Sequence, residues 1–202
     1  MKRISLMLAV ALATTMYSCN DSSTKDGDTA DTTKTVDAVE AAKDTNDKKE
    51  DTKTIAVDED DSKFLVFAAD AGMTEIQAAQ LAKTQTVSDK TKAFAEEMIK
   101  DHTAAGDEVK ALAATKNVTL PAAISDDHQK AIKDLTEKKP ADFEKAYVNM
   151  MVDDHKKVVD KFKDASDKCK DPDVKALAAK LLPKLQGHLD HAKMLKDGLK
   201  KS

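Results

Sequence analysis

The sequence MIKDH at residues 98–102 recurs as MVDDH at residues 151–155. The shared pattern is Met, a β-branched residue, any residue, Asp and His. Each copy lies midway along a segment whose apolar residues recur at the three- and four-residue spacing of one helical face. The Met and His of both copies belong to that apolar stripe. We therefore expect the two copies to lie in the buried middle of a helical bundle.

The same periodicity predicts four long helices and one short helix between the second and third of them. Ser88 and Asp171 are good residues to begin helices, and Asn117 is a good residue to end one. The predicted spans are residues 60–86, 89–116, 126–138 (the short helix), 140–168 and 172–199. Two tight hairpins separated by a long crossover are typical of the ferritin-like four-helix bundle, so we predict an all-α domain at residues 58–200.

Composition supports solvated helices and argues against a nucleic-acid partner. Charged residues make up 35% of the chain, aromatic residues 3%, and the net charge is -4. Both signs of charge are interspersed, whereas a nucleic-acid surface concentrates basic residues. After the N-terminal segment, the sequence contains no apolar run long enough to cross a bilayer.

The N-terminus has the features of a bacterial secretion signal at residues 1–19. A basic start is followed by a short apolar core and by small residues that lead to Cys19, which resembles the lipid-modified Cys of bacterial lipoproteins. Acyl chains on Cys19 would attach the protein to a membrane, which we expect to be the outer membrane of the cell envelope. Residues 20–57 are polar and rich in Asp and Thr, so we predict a disordered tether.

Two further residues have simpler interpretations. Cys169 has no intramolecular partner once Cys19 is lipidated, and its place at a helix end between two lysines predicts an exposed thiol without a redox role. His128 lies in the crossover and is expected to be solvated.

Counting along the helices predicts one polar layer in the core. At a rise of about 1.5 Å per residue, the four long helices each bring one residue to the same depth, roughly 20 Å along the bundle. His and carboxylate side chains on facing helices can bind copper, zinc or iron, and Met98 and Met151 would add soft ligands that suit copper. The four residues of this layer are Glu75, His102, His155 and His188. The candidate metal ligands are these four residues and three neighbours, His191, Asp101 and Asp154.

Three functional hypotheses remain open. The first is an envelope binding or structural module that meets another protein or the cell wall, with the polar layer fixing helix register. The second is a metal-binding envelope protein. The third is a ferritin-type oxidoreductase, although the Glu-x-x-His motif of two-iron proteins is missing from the second and fourth long helices. The chain has no nucleophile with a base and an orienting group, so a hydrolase is not indicated.

The doubled motif, Leu120-Pro121 and His188 together resemble a bacterial family. This family is the ferritin-like domain of unknown function 4142, often labelled a putative outer-membrane protein, and the resemblance covers about residues 60–197. It implies a four-helix ferritin-like bundle on an exported, often lipidated, protein. It implies no particular activity.

Overall fold

The computed structural model describes residues 36–85 and 87–200, and the regular elements in these ranges are helices. The all-α prediction is therefore confirmed. The helices are α1 (Ala38–Asp51), α2 (Glu59–Thr84), α3 (Asp89–Thr115), α4 (Asp126–Thr136), α5 (Pro140–Lys168) and α6 (Pro172–Leu199). The five helices predicted from periodicity correspond to α2–α6, with ends that agree within two residues.

Local sequence signals set these helix ends. Ser88 Oγ accepts a hydrogen bond from the Thr91 N–H at 3.3 Å, and Asp171 Oδ1 accepts one from the Val174 N–H at 3.1 Å. Each bond satisfies a backbone donor that has no partner within the first turn of a helix. Asn117 follows the end of α3 with a φ of 57°, a left-handed conformation that asparagine tolerates well.

The four long helices pack side by side so that each contacts two others. α2 packs against α3 and α5, and α6 packs against the same two helices. Lys116, just after α3, lies 2.7 Å from Asp171 at the start of α6, so these two helices are antiparallel. The starts of α3 and α5 meet at the other end, where the Thr91 hydroxyl donates to Glu144 at 2.6 Å. The crossover therefore makes α3 and α5 parallel, as its length predicted.

The predicted disordered tether at residues 20–57 is wrong in its second half, where helix α1 lies. Within residues 20–57, the structure describes an ordered helix and its connection to α2, and residues 20–35 lie outside the described ranges. Val39 and Ala42 pack with Val66 of α2. Asn46 is 2% exposed, donates to the Thr119 carbonyl at 2.9 Å and accepts from the Thr119 N–H at 2.7 Å. Low hydrophobicity predicted disorder wrongly here because long-range polar bonds to the crossover help to hold the helix.

Besides the small cluster between α1 and α2, two large apolar clusters lie along the four long helices. One contains Phe64, Phe162 and Leu177, and the other contains Phe94 and Tyr147. On every long helix, the residues of the two clusters are separated at the predicted depth of the polar layer. The polar layer therefore lies between two apolar clusters. Burying a polar group there without a hydrogen-bond partner would strongly destabilise the fold.

Two other predictions concern the surface and the N-terminus. Cys169 is 8% exposed instead of open to solvent, and burial, followed by the carboxylate of Asp61, raises the pKa of its thiol to about 12. Such a thiol is not activated for redox chemistry. The predicted signal and Cys19 lie outside the described residues. None of the helices that the structure describes has the length and apolar content needed to span a bilayer.

Candidate metal centre

Each of the four long helices contributes one polar side chain to the layer. Their exposed fractions are at most 4%, and the residues are Glu75 of α2, His102 of α3, His155 of α5 and His188 of α6. The three imidazole rings form a triangle with centroid separations of 5.1, 5.5 and 5.5 Å. The residues that counting along the helices assigned to one layer therefore do lie together in the structure.

The contacts between these side chains are short. Glu75 Oε2 lies 3.0 Å from His102 Nδ1, and Glu75 Oε1 lies 3.1 Å from His155 Nδ1. His102 Nε2 lies 3.2 Å from His188 Nδ1. One ring nitrogen from each histidine lies within 4.8 Å of the corresponding nitrogens of the other two. The centre of the bundle thus concentrates three imidazoles and one carboxyl group in a water-poor environment.

One nitrogen in this layer has no partner. His155 Nδ1 lies 3.0 Å from the Met151 carbonyl, a backbone acceptor one turn earlier on α5. This contact places the ring proton on Nδ1 and leaves a lone pair on Nε2. No described residue forms a hydrogen bond with His155 Nε2, although the side chain is fully buried. A buried polar atom without a partner costs about 1–3 kcal/mol. Both carboxyl oxygens of Glu75 also form no hydrogen bond with the described residues, although they lie close to ring nitrogens.

Burial controls the protonation of the layer. It raises the pKa of Glu75 well above its usual value, and the charge of Asp154 adds to this effect. Burial also lowers the pKa of His102 well below its usual value, with the other two histidines contributing. The pKa of His155 falls to about 4 through burial and the proximity of His188. Neutral imidazoles, which bind metal ions, are therefore the stable form at neutral pH.

Asp101 connects the layer to the surface. Its Oδ2 lies 3.1 Å from His188 Nε2 and 2.9 Å from Lys184 Nζ. Burial alone would raise the pKa of Asp101, but the hydrogen bonds from Lys184 and His188 outweigh it and lower the pKa. Because an ionised carboxylate only accepts hydrogen bonds, His188 Nε2 carries the ring proton and His188 Nδ1 keeps its lone pair. That lone pair faces the interior of the layer.

Besides Asp101, two more of the predicted ligands lie outside the layer, namely Asp154 and His191. Asp154 is 3.4 Å from Lys157 on the same helix, and no contact joins its carboxylate to the three histidines. His191 projects from α6 towards the surface, where its Nδ1 lies 3.0 Å from Glu97 Oε2. The periodicity placed both residues near the correct depth, but helix rotation directs their side chains away from the centre.

Glu97 and Lys184 also belong to this region, and they were not among the predicted residues. Each lies one helical turn before a residue that was predicted, since Glu97 precedes Asp101 by four positions and Lys184 precedes His188 by four. A spacing of four residues places two side chains on the same face of a helix, so it could have identified Glu97 and Lys184 as neighbours of the site. The two motif methionines are fully buried in the apolar cluster that contains Phe94.

A small cavity adjoins the layer. It has a volume of about 20 Å³ and is lined by Glu75, His102 and apolar side chains, together with Gly72 and Gly106. This volume is close to the space needed for one water molecule. The cavity therefore leaves room beside Glu75 and His102 for one small ligand.

Comparison with known proteins is consistent with this description. A profile of the family described as "Domain of unknown function (DUF4142)" matches residues 46–195. The chain belongs to the DUF4142 family. The match includes part of α1 and all four layer residues. No curated protein sequence matches this DUF4142 chain significantly.

A solved structure supports the fold of this DUF4142 protein. It is the crystal structure of a DUF305 fragment from Deinococcus radiodurans, with a TM-score of 0.62 and 12% sequence identity. The similarity covers 70% of this chain and 97% of the fragment. At this level of identity the likeness concerns the helical fold alone.

Proposed function

We propose that this DUF4142 protein binds one transition-metal ion through His102 Nε2, His155 Nε2 and His188 Nδ1. The observation that carries the proposal is the buried lone pair of His155 Nε2, which has no hydrogen-bond partner among the described residues and belongs to a ring whose centroid lies 5.5 Å from those of His102 and His188. A metal ion would accept the lone pairs of His155 Nε2 and His188 Nδ1 directly. It would also take His102 Nε2 in place of the hydrogen bond from that nitrogen to His188, with the ring proton of His102 carried on Nδ1 beside Glu75 and one proton released from the layer.

The spacing of the nitrogens supports this assignment. Two nitrogens on one tetrahedral ion lie about 3.3 Å apart when each metal–nitrogen bond is about 2.0–2.1 Å. His102 Nε2 and His188 Nδ1 are 3.2 Å apart. His155 would complete the set through a side-chain movement, since one ring nitrogen of each of the three histidines already lies within 4.8 Å of the other two.

The second nitrogen of each ring already lies beside an oxygen atom. His102 Nδ1 faces Glu75, His155 Nδ1 faces the Met151 carbonyl, and His188 Nε2 faces Asp101. Metal-binding histidines usually have such a partner, which fixes ring orientation and increases the basicity of the ligand nitrogen. Glu75 and Asp101 would therefore orient ligands and supply negative charge, while Asp154 and His191 would not bind this ion.

Three imidazoles define the class of ion. Nitrogen ligands suit zinc, copper, iron and nickel, whereas calcium and magnesium require oxygen ligands. A two-iron centre needs several carboxylates, and Glu75 is the carboxylate among the four layer residues. We therefore favour a single-ion site over the ferritin-type oxidoreductase.

We extend the proposal to location. The basic and apolar start of the chain and the position of Cys19 support export and attachment of a lipid to that Cys. The metal site would then act in the cell envelope, at the outer membrane, in storage, sensing or protection. Partners in this setting would be the membrane and another envelope protein or the cell wall.

A structural polar layer is the second candidate function, and one observation favours it. If Glu75 is protonated, short contacts run without interruption from Glu75 through His102 and His188 to Asp101. Such a network can fix helix register without any metal. It does not account for His155 Nε2, which stands apart from the chain of contacts.

The test compares metal binding by the full chain and two variants. The proteins are purified without a histidine tag, stripped with a chelator, and melted with zinc, copper, iron(II) or calcium. We expect about one equivalent of a transition metal and a rise in Tm for wild type, because an ion at 100 times its Kd stabilises the native state by about 2.7 kcal/mol. His155→Ala should lose both effects.

His128→Ala is the matched control, because His128 lies outside the layer and contacts Asp70. It should bind the ion as wild type does. If wild type retains no transition metal, or if His155→Ala keeps the full Tm shift, the metal proposal fails and the structural layer becomes the better explanation.

A further inference from the structure

We propose that the ion enters along the seam between α3 and α6, where Glu97, Asp101 and His191 capture it and pass it to His188. We call these three residues the entry cluster. The inference rests on the proposed function, since it assigns a route to the same buried site. It adds an outer binding position that the layer itself does not contain.

The entry cluster meets the layer at a shared residue. His188 presents Nδ1 to His102 at 3.2 Å and Nε2 to Asp101 at 3.1 Å. One ligand atom from each of Glu97, Asp101 and His188 lies within 4.8 Å of those of the other two, so these groups can surround a cation. The same imidazole therefore belongs to an outer and an inner ligand set.

Exposure decreases stepwise along this route. The exposed side-chain fractions are 46% for Glu97 and 35% for His191, then 13% for Asp101 and 3% for His188. A hydrated cation would first meet the exposed carboxylate and imidazole, and would lose its water gradually while gaining protein ligands. Such a gradient lowers the cost of transferring a charge into a low-dielectric interior.

A displaceable cation marks the inner end of the route. A cavity of about 10 Å³ lies beyond Asp101 and His188, on the side away from Glu97 and His191, and is lined by these two residues with His102, Lys184 and three apolar neighbours. Lys184 is 53% exposed and places its ammonium group 2.9 Å from Asp101 Oδ2, where an arriving cation would bind. Surface ion pairs contribute only about 0–1 kcal/mol, so Lys184 can move aside.

The opposite face of the bundle lacks this arrangement. Asp154 occupies the same place in its motif copy as Asp101, but its ion-pair partner is Lys157 at 3.4 Å and it contacts no histidine of the layer. A cavity of about 30 Å³ on this side leads to Glu75, beneath His128 of the crossover. A cation arriving there would meet His128, Asp154 and Glu75, because none of the three layer histidines lines this cavity. This face therefore provides matched control residues.

The experiment measures the rate of zinc loading into the chelator-stripped full chain. Stopped-flow mixing with a zinc-sensitive dye gives the loading rate, and equilibrium competition with the dye gives the Kd. The double variant Glu97→Gln/His191→Gln should load roughly tenfold more slowly, because charged clefts increase association rates by about 10–10³. Its Kd should stay within about threefold of wild type, since the inner ligands are unchanged.

Two further variants sharpen the test. Lys184→Met should load faster than wild type, because the competing ammonium group is gone. Asp154→Asn, on the opposite face, should load no more slowly than wild type, because loss of its charge makes Glu75 easier to ionise. Circular dichroism confirms that each variant is folded, which is expected because the altered side chains are partly exposed.

The outcomes separate the two proposals. The entry route is overturned if Glu97→Gln/His191→Gln loads zinc at the wild-type rate, or if Asp154→Asn is slowed as much as this double variant. The buried site is unaffected by either result. Absence of zinc uptake by wild type overturns both.

Discussion

The two copies of the motif have the same sequence pattern and different surroundings. In the α3 copy, His102 contacts Glu75 and His188, so both of its nitrogens face polar groups. In the α5 copy, His155 has a backbone and a carboxyl neighbour at Nδ1 and no hydrogen-bond partner at Nε2 among the described residues. A shared motif therefore fixes which residues are buried, while the facing helices decide what each residue can do.

The aspartates differ in the same way. Asp101 connects His188 to Lys184, whereas Asp154 pairs with Lys157 on its own helix. The difference arises because α6 brings a histidine opposite the α3 copy. One copy is thus built into a connection between core and surface, and the other supplies an open lone pair.

The largest change in stability should come from replacing His102, the motif histidine whose two nitrogens both have polar neighbours. In metal-free protein, His102→Leu leaves Glu75 and His188 buried without their shared neighbour, which should lower the free energy of unfolding by about 3 kcal/mol. His155→Leu removes a nitrogen that already lacks a partner, so we expect a change within about 1 kcal/mol. Urea unfolding with a chelator measures both, and equal losses would contradict the comparison.

The next effect concerns Glu75, the carboxyl group between the two copies. Because burial raises its pKa, Glu75→Gln replaces a neutral group by another of similar shape in the metal-free protein. We expect little change in stability without metal and a 10–100-fold weaker Kd with it, since a ligand-orienting carboxylate is lost. Isothermal titration with zinc gives the Kd, and an unchanged value would show that Glu75 does not support the histidines.

The sequence predicted the layer because helical periodicity is a local property. Four regular helices of known rise place Glu75, His102, His155 and His188 at one depth, and the structure brings them together. The sequence could not predict which nitrogen faces which group, because ring orientation depends on helix rotation and on rotamers. For the same reason, Asp154 and His191 were included although their side chains point away from the centre.

The predicted start of the folded domain at residue 58 was wrong for a different reason. Helix α1 depends on Asn46, whose hydrogen bonds reach Thr119 across more than seventy positions of sequence. Composition measures how much apolar surface a segment can bury, and it contains no information about such distant polar partners. Domain limits drawn from hydrophobicity alone are therefore too narrow in a helical protein whose accessory helix docks through polar groups.

A smaller, pH-dependent effect distinguishes the two faces. On the α5 side, the crossover docks through His128, whose Nδ1 lies 2.9 Å from Asp70 Oδ2, with Asp154 and Lys157 also facing it. The hydrogen bond to Asp70 raises the pKa of His128, although partial burial opposes it. Because the folded pKa is raised, this contribution is complete below the unfolded pKa of about 6.5 and is lost as pH rises through the folded value.

Wild type should therefore exceed His128→Gln in unfolding free energy by about 1 kcal/mol at pH 5.5, and by less at pH 8.5. Urea unfolding at both pH values checks this expectation. The residues of the entry cluster are unchanged in this variant, so zinc loading should proceed at the wild-type rate. A difference between the two proteins that grows with pH would show that His128 is docked as the neutral form.

The smallest effect concerns the position one turn after each histidine. This residue is Gly106 after His102 and Val159 after His155. Of these two residues, Gly106 lines the cavity of about 20 Å³ beside the layer. A Cβ added at Gly106 meets nothing within 4 Å. Gly106→Ala should therefore stabilise the protein by about 0.5–1 kcal/mol, because alanine loses less backbone entropy in a helix. Thermal unfolding measures the gain.

The same variant tests the purpose of the space beside His102. If the cavity admits a small ligand to the bound ion, Gly106→Ala should weaken azide binding to the copper-loaded protein, measured by absorbance, while copper stoichiometry stays the same. Gly72→Ala, which adds a methyl group from α2 on the other side of the cavity, should behave alike. A gain in stability with unchanged azide binding would mean that this glycine lowers stability without serving the site, and the difference between the two copies would then lie in their polar contacts alone.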